Sequence, residues 1–502
     1  MNWELVAFIL YFVLMLGIGL FFFFKTKGGD EKEYFLGNRS MGPWVTAMSA
    51  QASDMSAWLL MGLPGSILAF GFGQVWIGIG LALGTIANWV FIAKRLRRFS
   101  KAANDSITLP QYLSNRFATS SKALQIVCAV IFLVFFTVYV ASSFVAGASV
   151  FTTVFPELNP DLAMIIFALI ILVYTFLGGF KAVCWTDFFQ GMLMLVALLA
   201  VPVVIVTTKN LDTSLLSEVY TYTDAAGVVT EYTFVPNLFS ASWQEIVSGL
   251  GWGLGYFGMP HILVRFMSIK KPSMVKKSAV VACVWVVISL LATCLIAYMG
   301  RMLVGEALLT SGNQKMVFIE LARDLFPAFV AGILLSAIIA ASMSTADSQL
   351  LVASSSFASD IYKPVIRKNA GEKEMMWVSR GIVLLVAVVA YFIASSEGEG
   401  AQAIMNMVEN AWAGFGSAFG PVVILSLFWK RLTYKGALAG VIGGAVVDVV
   451  WLIWLSGPTG VYEIIPAFAV GTVLCVVGSL LDKKPSAEVL AICEAATAEN
   501  DD

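Results

Sequence analysis

Apolar residues run along this chain in blocks of about 20, the length at which a helix crosses the ~30 Å hydrocarbon layer of a bilayer. Thirteen such blocks recur, near 4–24, 42–70, 73–93, 123–150, 161–179, 187–207, 243–264, 277–300, 328–361, 377–395, 403–429, 436–456 and 461–481. The pattern predicts an all-α polytopic membrane protein with about 13 transmembrane helices. The first block, Trp3–Phe24, has no basic residue before it and no small-residue cleavage site after it. It is expected to be a retained span, not a removed leader.

Polar residues between the blocks are sorted by charge. Of the 31 Lys and Arg residues, all but Lys209, Arg301, Lys315 and Arg323 fall in alternate connections. Basic loops stay on the cytoplasmic side of a membrane. The arrangement predicts an external N-terminus, a cytoplasmic C-terminus and an odd number of spans, which thirteen satisfies. The longest external connection, about 208–242, is polar and acidic and reads as a solvated loop more than as a lid. Residues 1–482 are expected to form one transmembrane domain and 483–502 a short cytoplasmic tail.

Composition narrows the class. The 502 residues are 59% hydrophobic and 13% charged, about half the charge of a soluble domain. A formal net charge of -1 offers nucleic acid no basic surface. Cys128, Cys184, Cys283, Cys294, Cys475 and Cys493 lie in apolar stretches or the tail without CxxC spacing, as packing residues do. His261 is the only histidine, which excludes a His-based metal or catalytic cluster, and a structural role is expected for it. No GxSxG, HExxH or P-loop appears in a suitable context, so neither covalent chemistry nor ATP-driven work is expected, and the chain is read as no enzyme. "GLGYFG" matches G-x-G-x-x-G, but no strand precedes it and no acid follows at about 20 residues.

Charges inside spans are costly and therefore mark function. The candidates are Asp54, Asp187 at the start of the sixth block, Asp347 and Asp448. In "ASDMS", Asp54 can be read as a cap for a helix restarting at Met55. That reading requires a helix end at mid-membrane, where irregular backbone is tolerated only inside protein or along a cavity. A second interruption is "SGLGWGLGYFGMPH", residues 248–261, with Gly249, Gly251, Gly253, Gly255, Gly258 and Pro260. Close helix packing explains such glycines as well as a ligand site does. Trp252 and Tyr256, four residues apart, favour a ligand surface.

The two interruptions are five spans apart, and an odd shift reverses direction through the membrane. Spans 2–6 (about 42–207) and 7–11 (about 243–429) are therefore predicted to be inverted repeats, with spans 1, 12 and 13 outside them. Paired breaks of this kind point to a transporter's binding site. The ninth block, "GILLSAIIAASMSTADSQLLV", carries many hydroxyls. Ser344, Thr345 and Ala341 one turn earlier, together with carbonyls of an unwound segment, suit a hard cation such as sodium. Helix–helix packing is the competing explanation.

Several long stretches carry a family resemblance: "SMGPWVTAMSAQASDMSAWLLMGLPG", "FFTVYVASSFVAGA", "GGFKAVCWTDFFQ", "GWGLGYFGMPHILVRFM", the ninth block and "AWAGFGSAFGPVVILSLFWKR". From about residue 5 to 482 the chain resembles the solute:sodium symporter family, and its proline-carrying bacterial members in particular. The resemblance implies a LeuT-like 5+5 inverted-repeat fold, alternating access, L-proline and a co-transported sodium ion as solutes, and a bacterial inner or plasma membrane. By resemblance, sodium is expected at the carbonyls of Ala52, Met55 and Ala341 and the hydroxyls of Ser344 and Thr345, with Asp54 adjacent. Proline is expected to meet Ser56, Trp58, Tyr139, Trp252, Tyr256 and Pro260. Arg39 and Asp187 match positions tied to coupling or ion exit. Gln51 and Ala57 stand where glycines are expected, Met259 where a glutamine is expected, and Asp347 where an uncharged residue is expected. These departures leave another small solute of the same family as the alternative to proline.

Overall fold

The computed structural model describes residues 2–25, 31–177, 179–224, 227–397 and 403–498. Among them, ten helices are long and apolar enough to cross a membrane, from Trp3–Phe22 to Ile464–Leu481. The other three apolar blocks are helical in a different way. Pro160–Leu177 is a shorter continuous helix, and the blocks at 42–70 and 243–264 are each broken near their middle. Each predicted block thus coincides with helix.

Some boundaries move. The sixth block was expected to begin at Asp187, but its helix is Phe180–Thr208, which puts Asp187 two turns inside. Hydropathy is lowered by the charges at Lys181 and Asp187, whereas the fold buries the acid against a guanidinium. The eighth helix extends well past its block, over Val275–Thr310.

The helix Ala328–Ser356 lies at the centre and packs against Trp3–Lys25, Pro43–Asp54, Ala123–Val154 and Phe180–Thr208. Its residues from Leu334 to Ser356 are buried without exception. Small Ala and Ser side chains let four neighbours approach it at once.

Packing also explains the glycines of the seventh block. A Cβ on Gly80 would stand 2.2 Å from the Gly249 carbonyl oxygen, and one on Gly255 would stand 1.9 Å from Trp412 Nε1. Gly80 brings two backbones together and Gly255 makes room for an indole, so the packing explanation holds for them, and the ligand argument rests on the aromatics alone.

The external connection is more ordered than a solvated loop. Tyr220–Thr223 pairs antiparallel with Val229–Tyr232, Tyr220 opposite Tyr232. The fully buried Arg301 fastens this hairpin to the bundle. Its Nη1 donates to the carbonyl of Leu68 (2.9 Å) at the end of Gly62–Phe70, and its Nη2 to that of Glu218 (2.6 Å). The guanidinium also lies 4.8 Å from the Tyr220 ring centre. A planar fork of five donors serves several carbonyls at once, which a lysine ammonium does not.

Candidate functional site

The first break follows from where the helix Pro43–Asp54 stops. Met55 (φ -81°, ψ 35°) and Ser56 (φ -16°, ψ -174°) leave helical geometry, and a short 3-10 turn, Ala57–Leu59, restarts the chain. Ser56 makes the cap: its Oγ accepts from Trp58 N–H at 3.2 Å. Asp54 is the last residue of the first half-helix and does not cap the second, which corrects the capping reading. Its carboxylate turns across the bundle instead.

The second break joins Trp243–Gly251 to a 3-10 turn, Trp252–Phe257, and then to Pro260–Ser268. Pro260 holds a first-turn position, where its missing N–H costs nothing.

The breaks meet side chain to side chain. Tyr256 Oη donates to Asp54 Oδ2 at 2.6 Å, and Tyr139 Oη donates to the Asp54 carbonyl at 3.3 Å. Asn88 Nδ2 holds the Tyr256 carbonyl at 3.0 Å. The rings of Trp58 and Trp252 stack at 5.3 Å between centres. Five of the six predicted solute residues thus gather round Asp54, and Pro260 starts the inner half-helix four residues beyond Tyr256.

On the other side of the break, Ser344 Oγ lies 2.8 Å from the Ala52 carbonyl oxygen and 3.1 Å from that of Ala341. Thr345 Oγ1 is buried with no hydrogen-bond partner. One of the five predicted sodium oxygens, Ser344 Oγ, therefore touches two of the others, and an unsatisfied hydroxyl lies on the next residue. Oxygen donors without sulfur or imidazole fit a hard monovalent cation.

Three residues went unseen in the sequence. Trp412 donates from Nε1 to the Trp252 carbonyl (2.7 Å) and meets Tyr256 edge-on at 5.0 Å. Tyr462 lies 5.4 Å from Trp252. Met405 Sδ accepts from Trp58 Nε1 at 2.8 Å. Trp412 lies in the quoted "AWAGFG" stretch, the one available signal; Tyr462 and Met405 had none.

Asp187 and Arg39 stand apart from this centre. Asp187 Oδ2 accepts from Arg265 Nη2 (2.9 Å) and Ser49 Oγ (2.6 Å), all three buried. Arg265 Nη2 also donates to Ser348 Oγ at 2.6 Å, next to the fully buried Asp347. Arg39 is held by Asp105 (2.8 Å), Ser100 and the carbonyls of Met267 and Ser106. Asp448 accepts from Ser417 Oγ at 2.9 Å. His261 is wholly buried and meets Phe136 edge-on, while Arg265 Nη1 takes its carbonyl at 2.7 Å.

Comparison with known proteins agrees with this architecture. The sequence model of the Sodium:solute symporter family matches residues 34–444. The Sodium/proline symporter of Escherichia coli (strain K12) is 43% identical over 489 residues, covering 96% of this chain and 94% of that protein. The Sodium/proline symporter of Haemophilus influenzae is 44% identical over 495 residues, covering 97% and 96%. Among solved structures, a Na+-coupled sialic acid symporter in a substrate-bound, outward-open state superposes with a TM-score of 0.73 at 18% identity, covering 96% of this chain and 99% of that one. Mhp1, a nucleobase-cation-symport-1 family transporter, gives 0.55 at 13% identity, covering 92% and 98%. At such identities the two structures speak for the fold alone, and it is the LeuT-like one expected.

Proposed function

Because the chain belongs to the sodium:solute symporter family, we propose that it imports L-proline together with sodium by alternating access. In this reading it is a multi-pass protein of a bacterial cell membrane, N-terminus outside and C-terminus cytoplasmic, and performs no covalent chemistry. Residues 42–207 and 243–429 act as the inverted repeats of a single domain, 1–482, followed by the tail 483–502.

The observation that carries the reading is Asp54, which sits between both half-sites. Its own backbone stretch presents the Ala52 carbonyl to Ser344, while its carboxylate reaches Tyr256 in the other broken helix. Sodium would be held by the carbonyls of Ala52, Met55 and Ala341 and the hydroxyls of Ser344 and Thr345. Proline would lie against Trp58 and Trp252, with Ser56, Tyr139, Tyr256 and Pro260 around it. The aromatic faces cover its ring and attract its secondary ammonium, each such contact contributing ~1–2 kcal/mol when desolvated. Ion and solute then share one segment of backbone, so occupancy by sodium orders the surface that meets proline. Moving one sodium inward releases about 1.4 kcal/mol per tenfold gradient and about 2.3 kcal/mol per 100 mV. Arg39 and Asp187, each paired away from the centre, serve coupling or ion exit.

The test is uptake of labelled proline by proteoliposomes under an inward sodium gradient, with unlabelled amino acids, sugars and organic acids as competitors. Sodium-dependent, proline-selective uptake that Asp54→Ala abolishes is expected. Near-normal uptake by that variant, or indifference to excess proline, would overturn the assignment.

A further inference from the structure

The helix Phe72–Ala102 leaves its apolar block as "NWVFIAKRLRRFSKA", turning abruptly from lipid-facing to basic. Val90 and Phe91 are both 58% exposed, and so belong to the outer wall of the bundle. Within the next two turns come Lys94, Arg95 and Arg98. Residues 91, 94, 95 and 98 follow the spacing that puts side chains on one stripe of a helix. The end of Ala403–Phe428 adds Phe428, 45% exposed. Together these side chains line a cleft of about 520 Å³, to whose lining the tail helix Ala487–Ala498 adds Ala496 and Thr497.

One cation in the cleft is already aimed. Arg95 has its guanidinium 4.3 Å from the Phe428 ring centre, and its Nη1 is 3.4 Å from the Leu427 carbonyl oxygen. Stacking of this kind holds the planar fork in place, which lowers the entropy lost when it takes a second partner. The charge lies on the basic end of the bundle, the end read as cytoplasmic.

We propose that this cleft is a binding site for the headgroup of an anionic phospholipid, with its acyl chain lying along Val90 and Phe91. A basic pocket for a soluble anion has no use for an exposed apolar wall one turn away. A phosphodiester carried on hydrocarbon needs both, charge at headgroup depth and apolar surface below it. Basic side chains next to a span end each contribute to anionic lipid binding, and guanidinium forks match phosphate oxygens in pairs. The lipid would thereby brace the Phe72–Ala102 helix, the Ala403–Phe428 helix and the tail helix against one another.

The full-length protein, purified in detergent and stripped of lipid, is titrated with phosphatidylglycerol, phosphatidylcholine or inorganic phosphate, and bound lipid is read by native mass spectrometry. One phosphatidylglycerol should bind at least about tenfold more tightly than phosphatidylcholine. Lys94→Gln/Arg95→Gln/Arg98→Gln should lose that preference, whereas Lys430→Gln/Arg431→Gln/Lys435→Gln at a different basic connection should keep it. If the triple variant does not fold, Arg95→Gln alone, an exposed position, should weaken the preference about threefold. Unchanged preference in these variants overturns the proposal. So does displacement of the lipid by millimolar inorganic phosphate, which would make this a site for a free anion.

Discussion

The bond between Tyr256 and Asp54 joins the two broken helices, and removing it alone should be felt by the solute. Tyr256→Phe deletes one hydroxyl and preserves the ring that meets Trp412 edge-on. Tyr256 is 1% and Asp54 4% exposed, so water does not replace the lost donor. A hydrogen bond to a buried charged group contributes about 1.5–3 kcal/mol. At about 1.4 kcal/mol per factor of ten, the proline KM should rise roughly 10- to 150-fold. The assay is sodium-dependent counterflow of labelled proline in proteoliposomes, with the half-saturating sodium concentration measured in parallel. Asp54→Asn retains an acceptor for the tyrosine but not the charge. In a double-mutant cycle of Tyr256→Phe with Asp54→Asn, the coupling should be at least about 1 kcal/mol, because both changes remove the charge-assisted part of the same bond, one by taking away the donor and the other by taking away the acceptor's charge. A Tyr256→Phe protein within twofold of wild type would refute the reasoning, as would additive effects in the cycle.

Two further outcomes follow from other contacts. Ser344→Ala removes the hydroxyl that touches the Ala52 and Ala341 carbonyls at 2.8 and 3.1 Å; the half-saturating sodium concentration should rise about tenfold, with proline affinity at saturating sodium within about twofold. Equal losses for both solutes would sink the division of labour between the two sides of the break. Asp105 is partly buried, which pushes its carboxyl up, but its contacts with Lys32 and Arg39 outweigh this and hold it below the ordinary carboxylate range. A depressed folded-state pKa stabilises above the unfolded value and is lost as pH falls through the folded one. Thermal unfolding should therefore favour wild type over Asp105→Asn at pH 7, and the gap should close below about pH 4. A gap that stays constant from pH 3 to 7 would show that the ion pairs contribute nothing.

Much of this architecture can be read from one dimension, and the reason is the solvent. A bilayer imposes a length on each apolar block, so the helical segments of the described residues are visible as blocks, and it imposes a charge preference on each connection, from which the sidedness is proposed. It also makes Asp54 conspicuous, since an acid in such surroundings needs a local reason. The two breaks at Met55–Ser56 and Gly258–Met259 are legible for the same cause, as glycines, a proline and polar residues where an unbroken helix would be cheaper.

What lay beyond the sequence depends on which surfaces meet. Gly80 and Gly249 mark close approach of backbones and Gly255 the seat of the Trp412 indole, and no local pattern separates either from a ligand site. Arg265 gave no sign that it neutralises Asp187, 78 residues away, and so the helix Phe180–Thr208 began earlier than hydropathy allowed. Tyr462, just ahead of the helix Ile464–Leu481, and Met405, in Ala403–Phe428, reach Trp252 and Trp58 from hundreds of residues along the chain. Arg301 reaches the external hairpin through carbonyls, which every residue has and no sequence displays. Local hydrophobicity and charge are summed along the chain and survive being written as a string; pairings across the bundle exist only once the chain has folded.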